Sequence, residues 1–417
     1  MRRRYPHTAT TANAGALYPF MAGRGLGARG IWVGRNAYDG SAVTYDPYEL
    51  YRQGDVTNPG MLIAGESGSG KTALRKSMIL RQAAFGRQSV LLNPKREDEK
   101  LCEALGVEPI RLERGGRIRL NPLDPRIADP AAGSRGLLLG QLEVCRAVVG
   151  TTLGRALEPV EDAAVKQALL VASERGGPDG PTLPLVAEAL LRPDDRAAAA
   201  LAMERARLAE VTRDAALGLR RLCEDDLAGM FDGATSAEVN FDAPLVAFDL
   251  QALRDEDSLG ICRVCVASWV QRCLHLEPGM KRTVWLDECW RFMSSVAAMR
   301  WLQSSYKMAR SQGIQWVVIV QHLADLESAG AAGSEQARLA QGLLEDCQTV
   351  VLYQQAEAEK ERLKRLLGLN ETEIQVVTGR LPQGVALWRI NRLSVLVEHC
   401  LAEAEREIVF SNEGMAA

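Results

Sequence analysis

The sequence predicts an α/β fold in which a mainly parallel sheet is flanked by helices and interrupted by an all-α insertion. Three observations carry that prediction. A short apolar segment, Met61 to Ala64, runs into a glycine-rich loop and then into a helical stretch, Ala73 to Phe85, closing at Gly86. From Leu245 onward, apolar strand-like runs alternate with helical ones, the pattern of a parallel sheet covered on both faces. Between residues 131 and 236 Leu, Ala, Arg and Glu dominate and Phe231 is the sole aromatic, which reads as an insertion of helices.

Composition bounds the function classes. A chain of 417 residues with 47% hydrophobic and 25% charged residues is long enough for one large or two ordinary domains with a substantial core. The net charge of −3 gives no overall basic character, so nucleic-acid contact would have to come from a local patch. Nine scattered cysteines, an odd number without a disulfide-like framework, fit a reducing cytosol. Cys262 and Cys265 form C-x-x-C inside an apolar helical run with no second pair at metal-site spacing, so they read as buried thiols. No apolar run of bilayer-spanning length is expected, and the opening Met1-Arg2-Arg3-Arg4 lacks the apolar core of a signal peptide. The expected location is the cytoplasm, with at most a peripheral place on the inner face of the cytoplasmic membrane.

In chain order, residues 1–58 read as an extension and a small hairpin, with strand-like pieces Ile31-Trp32-Val33 and Ala42-Val43-Thr44-Tyr45 about Asp39-Gly40. Residues 59–130 hold the first part of the core. Its second strand, Ser89 to Leu92, ends in Asn93-Pro94-Lys95-Arg96-Glu97-Asp98, either a solvated loop or, at a strand end where ligands bind in open α/β sheets, a substrate contact. The arginines at 111, 114, 117 and 119 and the breaker Asn121-Pro122-Leu123-Asp124-Pro125 follow. Residues 131–236 form the insertion, its arginines read as a solvated face. Residues 237–417 complete the core, ending in strands Gly384 to Ile390 and Leu393 to Val397 about Asn391-Arg392.

The loop Gly65-Glu66-Ser67-Gly68-Ser69-Gly70-Lys71-Thr72 fits G-x-x-x-x-G-K-[ST], the phosphate-cradling P-loop, between the strand and helix that this motif requires. Glycines at 65, 68 and 70 let successive backbone N–H groups turn toward phosphate oxygens, aided by the positive end of the following helix. Lys71 is placed to meet the β and γ phosphates and Thr72 to ligate Mg²⁺.

Val284-Trp285-Leu286-Asp287-Glu288 is an apolar strand ending in two carboxylates. Beside a P-loop, Asp287 is the candidate holder of Mg²⁺ and Glu288 the candidate base for the attacking water. Gln321, at the end of Ile314 to Val320, is a candidate for sensing the γ phosphate or orienting water, and the adjacent His322 reads as structural. Arg310 either complements a helix dipole or acts as an arginine finger in a neighbouring subunit, with Arg380, Arg389 and Arg392 as competitors.

Taken as an ordered set, these motifs resemble the VirB-type ATPases of type IV secretion and bacterial conjugation, within the HerA/FtsK-like P-loop superfamily, especially versions from conjugative elements of actinobacteria. The resemblance runs from about Leu17-Tyr18-Pro19-Phe20 to the C-terminus. It rests on Tyr45-Asp46-Pro47, Asn58-Pro59 through Thr72, Asn93-Pro94-Lys95 to Glu97, Leu120 to Asp124, Trp285 to Trp290, Ala309 to Gly313 and Val320-Gln321. It implies a RecA-like domain, homo-hexameric rings, and ATP hydrolysis with Mg²⁺ that powers transfer of DNA or protein by the secretion machinery. A double-stranded DNA translocase and a nucleotide-gated scaffold with little turnover are the alternatives. Two departures stand out: Asn93-Pro94-Lys95-Arg96-Glu97 replaces the usual Asp-Pro-Lys-Gly-Glu, and the usual large N-terminal domain is missing or reduced.

Overall fold

The computed structural model describes residues 29–92, 96–127, 133–250, 261–262, 265–270, 279–287, 313–327 and 334–410. Strands β1 (Ile31–Asn36), β2 (Ala42–Tyr45), β3 (Met61–Ala64), β4 (Gln88–Leu92), β5 (Ile110–Arg111), β6 (Leu245–Asp249), β7 (Arg282–Leu286), β8 (Ile314–Val320), β9 (Thr349–Leu352), β10 (Val385–Ile390) and β11 (Leu393–His399) form one 11-stranded sheet. Its order is β2-β1-β11-β10-β9-β3-β8-β7-β4-β6-β5. From β9 to β5 all neighbours are parallel, as the alternation predicts, and the four strands from β10 to β2 are antiparallel.

The β1–β2 hairpin expected from sequence joins this sheet through β11, where Gly34 pairs with His399. After β2 comes α1 (Pro47–Gln53), where Asp46-Pro47 is a helix start: the Asp46 carboxylate accepts from the amides of Tyr48 at 3.0 Å and Glu49 at 3.2 Å. Next come α2 (Lys71–Ala84), which follows the P-loop, and α3 (Glu99–Ala104). Between β5 and β6 lie α4 (Gly133–Leu153), α5 (Pro159–Gly176), α6 (Leu183–Leu191), α7 (Asp195–Ala200), α8 (Arg205–Val211) and α9 (Arg213–Arg221). The helices α10 (Leu323–Glu327), α11 (Glu335–Glu345), α12 (Lys360–Leu367), α13 (Glu371–Thr378) and α14 (Glu403–Val409) follow among the described residues.

Strand side chains alternate between two apolar layers. Leu62, Val90, Phe248, Leu286 and Val318 pack with Leu142 and Val148 of α4, Val165 of α5, Val186 of α6 and Leu219 of α9. Met61, Ile63, Leu91, Trp285 and Ile319 pack with Leu74, Met78 and Ile79 of α2. The helical segment and the P-loop helix therefore cover opposite faces of one sheet. One expectation is corrected: the 21-residue α4 is long and apolar enough, by length and composition, to cross a membrane, with 28% of its most apolar window buried. Leu142, Cys145, Val148 and Val149 on its inner side are buried against the core.

Leu120 to Asp124 ties the helical segment to the sheet. The fully buried Asn121 donates to the Pro181 carbonyl at 2.9 Å and accepts from the Leu123 amide at 3.0 Å, while its own carbonyl takes the Trp269 indole N–H at 3.1 Å. Asp124 accepts from the Thr235 hydroxyl at 2.8 Å. A breaker in the sequence is thus a polar junction in the fold. Cys262 and Cys265 are both buried, and burial pushes the Cys265 thiol well above its ordinary range.

Candidate nucleotide-binding site

The P-loop strand β3 lies between β8 and β9, with Ala64 level with Val320 on one side and Leu352 on the other. Crowding begins at the next residue. A Cβ on Gly65 would stand 2.5 Å from the Tyr353 Cβ, so only glycine lets the chain turn there. Gly68 and Gly70 have φ of +76° and +118°, in the left-handed region. Gly70 caps α2, and the amides of Lys71, Thr72 and Ala73 precede its first helical hydrogen bond, from Leu74 N to Gly70 O at 3.0 Å.

The loop is buttressed from behind. Glu66 N donates to Gln354 O at 3.2 Å, Gly384 N donates to Ser69 O at 2.9 Å, and the Tyr353 hydroxyl, raised above its usual pKa by burial, donates to Gly70 O at 3.4 Å. The Lys71 ammonium donates to the carbonyls of Gly65 and, at 2.8 Å, Glu66, which holds it over the loop. Thr72 is half-buried and Ser67 and Gly68 are exposed. Ser69 Oγ is buried without a hydrogen-bond partner among the described residues.

Asp287 follows β7 directly and is 7% exposed. β8 alone separates β7 from β3, and Gln321, at the end of β8, is exposed between them. His322 is also exposed, and its amide donates to Asp325 Oδ2 at 3.1 Å at the start of α10. Glu288, Arg310 and Asn93 to Lys95 lie outside the described residues. Of the competing arginines, Arg389 donates to the carbonyls of Leu367 and Asn391, and Arg392 sits in the β10–β11 turn. Since Ile390 pairs with Thr349 at the start of β9, both are at the sheet end opposite the P-loop. Arg380 is exposed and precedes Leu381, whose amide donates to Gln354 Oε1 at 2.7 Å beside the loop.

A residue with no sequence-assigned role joins the two halves of the site. Arg75, one turn beyond Lys71 on α2, is completely buried. Its Nη2 lies 2.8 and 3.1 Å from the Asp98 oxygens, 3.7 Å from Asp287 Oδ2 and 4.0 Å from Glu97 Oε1. Burial pulls its pKa down, but Asp98 and Asp287 outweigh that and the net shift is upward. The reading of the cluster after β4 as a solvated loop is therefore corrected at Asp98, which is 1% exposed because Arg75 supplies its counter-charge. The available signal was a charge at a buried helical position beside Leu74 and Met78, which calls for a partner. Tyr353, Gln354 and Gly384 left no such signal.

The residues present suit a nucleotide phosphate chain with a hard cation. Gly68 and Gly70 hold the left-handed backbone that curls the loop, Ser69 Oγ is an orphaned buried hydroxyl within it, and Thr72 and Asp287 offer oxygen donors.

No protein-family model matches the sequence, and no curated protein matches it. Solved structures do. VirB4 of Thermoanaerobacter pseudethanolicus is 24% identical, with a TM-score of 0.70 over 91% of this chain and 98% of that one. The bacterial conjugative coupling protein TrwB, in its unbound monoclinic form, is 13% identical with a TM-score of 0.52, covering 90% of this chain and 91% of that one. The plasmid coupling protein TrwB in complex with ADP and Mg²⁺ is likewise 13% identical with a TM-score of 0.52, covering 90% of each chain. The mostly parallel sheet flanked by helices is the RecA-like P-loop fold of VirB4 and TrwB, the fold that the motif resemblance implied.

Proposed function

We propose that the chain is a Mg²⁺-dependent ATP hydrolase that acts as a motor in conjugation or type IV secretion. The observation that carries this reading is the convergence of Lys71 and Thr72, at the start of α2, with Asp287, at the end of β7, on one end of the sheet. A solved structure of this fold supports it: the plasmid coupling protein TrwB is in complex with ADP and Mg²⁺.

The residues divide the chemistry as follows. The amides of the loop from Gly65 to Gly70 bind phosphate oxygens, and Lys71 leaves its carbonyl partners to meet the β and γ phosphates. Thr72 and Asp287 hold the cation, which when bound neutralises charge on those oxygens. Glu288 accepts the proton of the attacking water, Gln321 orients it, and Arg310 of a neighbouring copy, within a homo-hexamer, stabilises the charge that develops. The ring is inferred from the motif resemblance, the Arg310 role from that residue's place in the sequence, and at most a peripheral place at the membrane from composition.

A second reading, a double-stranded DNA translocase, keeps the same site and differs in its activator. The test is ATP hydrolysis against protein concentration, with and without single- and double-stranded DNA. Specific activity that rises with concentration supports assembly, and strong stimulation by double-stranded DNA favours the translocase. A chain that binds ATP but leaves it intact under all these conditions would be a scaffold, and the ATPase reading would fall.

A further inference from the structure

The structure points to Arg75 as the positioning residue for the metal-holding carboxylate, a role that rests on the proposed Mg²⁺–nucleotide reading of the site. We propose that its buried guanidinium sets the orientation of Asp287 and couples it to the P-loop helix and to the turn after β4.

The argument starts from what a buried arginine needs. A guanidinium has five N–H donors and is always charged, so burying it demands both counter-charge and hydrogen-bond acceptors. Arg75 meets the first demand and only part of the second. One nitrogen, Nη2, serves both oxygens of Asp98, instead of the two-nitrogen fork that a dedicated arginine–carboxylate pair adopts. Nε and Nη1 are buried and have no hydrogen-bond partner among the described residues. As a partner for Asp98 alone, this geometry is poor.

As a bridge between two carboxylates it makes sense. The same Nη2 faces Asp287 Oδ2 at 3.7 Å, within ion-pair range and beyond hydrogen-bond range. Asp98 is the nearer counter-ion and keeps Arg75 from capturing Asp287 outright. The turn that carries Asp98 is itself fastened to α2, because Lys76 donates to the Glu97 carbonyl. Lys71, Thr72, Arg75 and Lys76 share one helix, so a rigid element carries the phosphate-binding lysine and, one turn deeper, the charge that sets the metal carboxylate. Groups that orient metal ligands from behind in this way commonly change metal affinity by about 10–100-fold when removed.

The test uses the 417-residue chain and four variants: Arg75→Lys, Arg75→Met, Asp98→Asn and the pair Arg75→Met/Asp98→Asn. The pair removes both buried charges together, which keeps a folded protein available where a single change fails, as checked by circular dichroism melting. Three quantities are read: ADP affinity in EDTA, Mn²⁺ affinity with ADP present by electron paramagnetic resonance, and the Mg²⁺ dependence of ATP hydrolysis. The expected result for the folded pair is Mn²⁺ affinity weaker by about 10-fold, with ADP affinity in EDTA unchanged. Arg75→Lys should recover most of the Mn²⁺ affinity.

Unchanged Mn²⁺ affinity in the folded pair overturns the proposal. So does an equal loss of metal-free ADP affinity, which would mean general damage to α2. If the wild-type chain binds Mn²⁺ with ADP but does not hydrolyse ATP, the ATPase reading fails while the Mn²⁺ titration still decides the role of Arg75. If it binds no Mn²⁺ with ADP, both fall.

Discussion

The arginines of the P-loop helix and those of the helical segment between β5 and β6 have the same chemistry and opposite surroundings. Arg146 pairs with Asp162 with side chains 41% and 37% exposed, and Arg220 pairs with Glu224 at 55% and 59%. Arg75 pairs with Asp98 at 0% and 1%. In water such a pair contributes about 0–1 kcal/mol, whereas breaking a buried one by removing a single partner costs about 3–5 kcal/mol. The expected solvated face of the helical segment is what these exposed pairs show. Position, more than residue type, decides which arginine matters.

That contrast can be attacked from its strongest end downward. Lys71→Ala should lower ATP turnover by at least about 100-fold, measured by phosphate release, because it removes a charge aimed at the reacting phosphates. Next, Asp98→Asn alone takes the nearest counter-charge and one of the two Asp98 hydrogen-bond acceptors from the buried Arg75, and urea unfolding should show a loss of about 3–5 kcal/mol. A loss below 1 kcal/mol would place this pair with the exposed ones and erase the comparison.

An intermediate effect is expected at His399, whose ring lies 2.8 Å from the Ser77 hydroxyl on the same α2 helix. Burial first, then the nearby Arg81, push its pKa down to about 4, against the opposing pull of Glu405. The unfolded chain binds this proton more readily than the folded one, so the stabilisation is present above about pH 6.5 and is lost as pH falls toward 4. Between pH 7.5 and pH 5 unfolding free energy should fall by about 2 kcal/mol from this group, and His399→Gln should flatten that slope. The smallest effect belongs to Arg220→Ala, which should leave both unfolding free energy and turnover at the wild-type level, because water screens the exposed pair with Glu224. A larger one would give the helical segment a role that its exposed pairs do not suggest.

Legibility followed locality. β3, the loop from Gly65 to Thr72, Asp287 after its strand and the β10–β11 hairpin are written in contiguous residues, so spacing alone located them. The buttresses of the loop were invisible because Tyr353 and Gly384 reach it from far along the chain, and nothing in their neighbours marks that approach. Arg75 fell between these cases: its helix was readable, but its partners, Asp98 and Asp287, come from two other strand ends. The start of α1 was not legible because Asp-Pro serves equally as a turn and as a helix cap.

The pairing of β1 with β11 has a consequence for how the protein is made. It closes a contact between Gly34 and His399, residues near opposite ends of the described chain, so that edge of the sheet raises the contact order and carries a large loop-closure cost. During synthesis the first hairpin must wait, with one edge unpaired, until β11 has emerged. Fragments that omit either hairpin would leave β1 or β11 with an open edge, a template for intermolecular pairing. A soluble, well-behaved preparation of this protein therefore depends on keeping both hairpins in the same polypeptide.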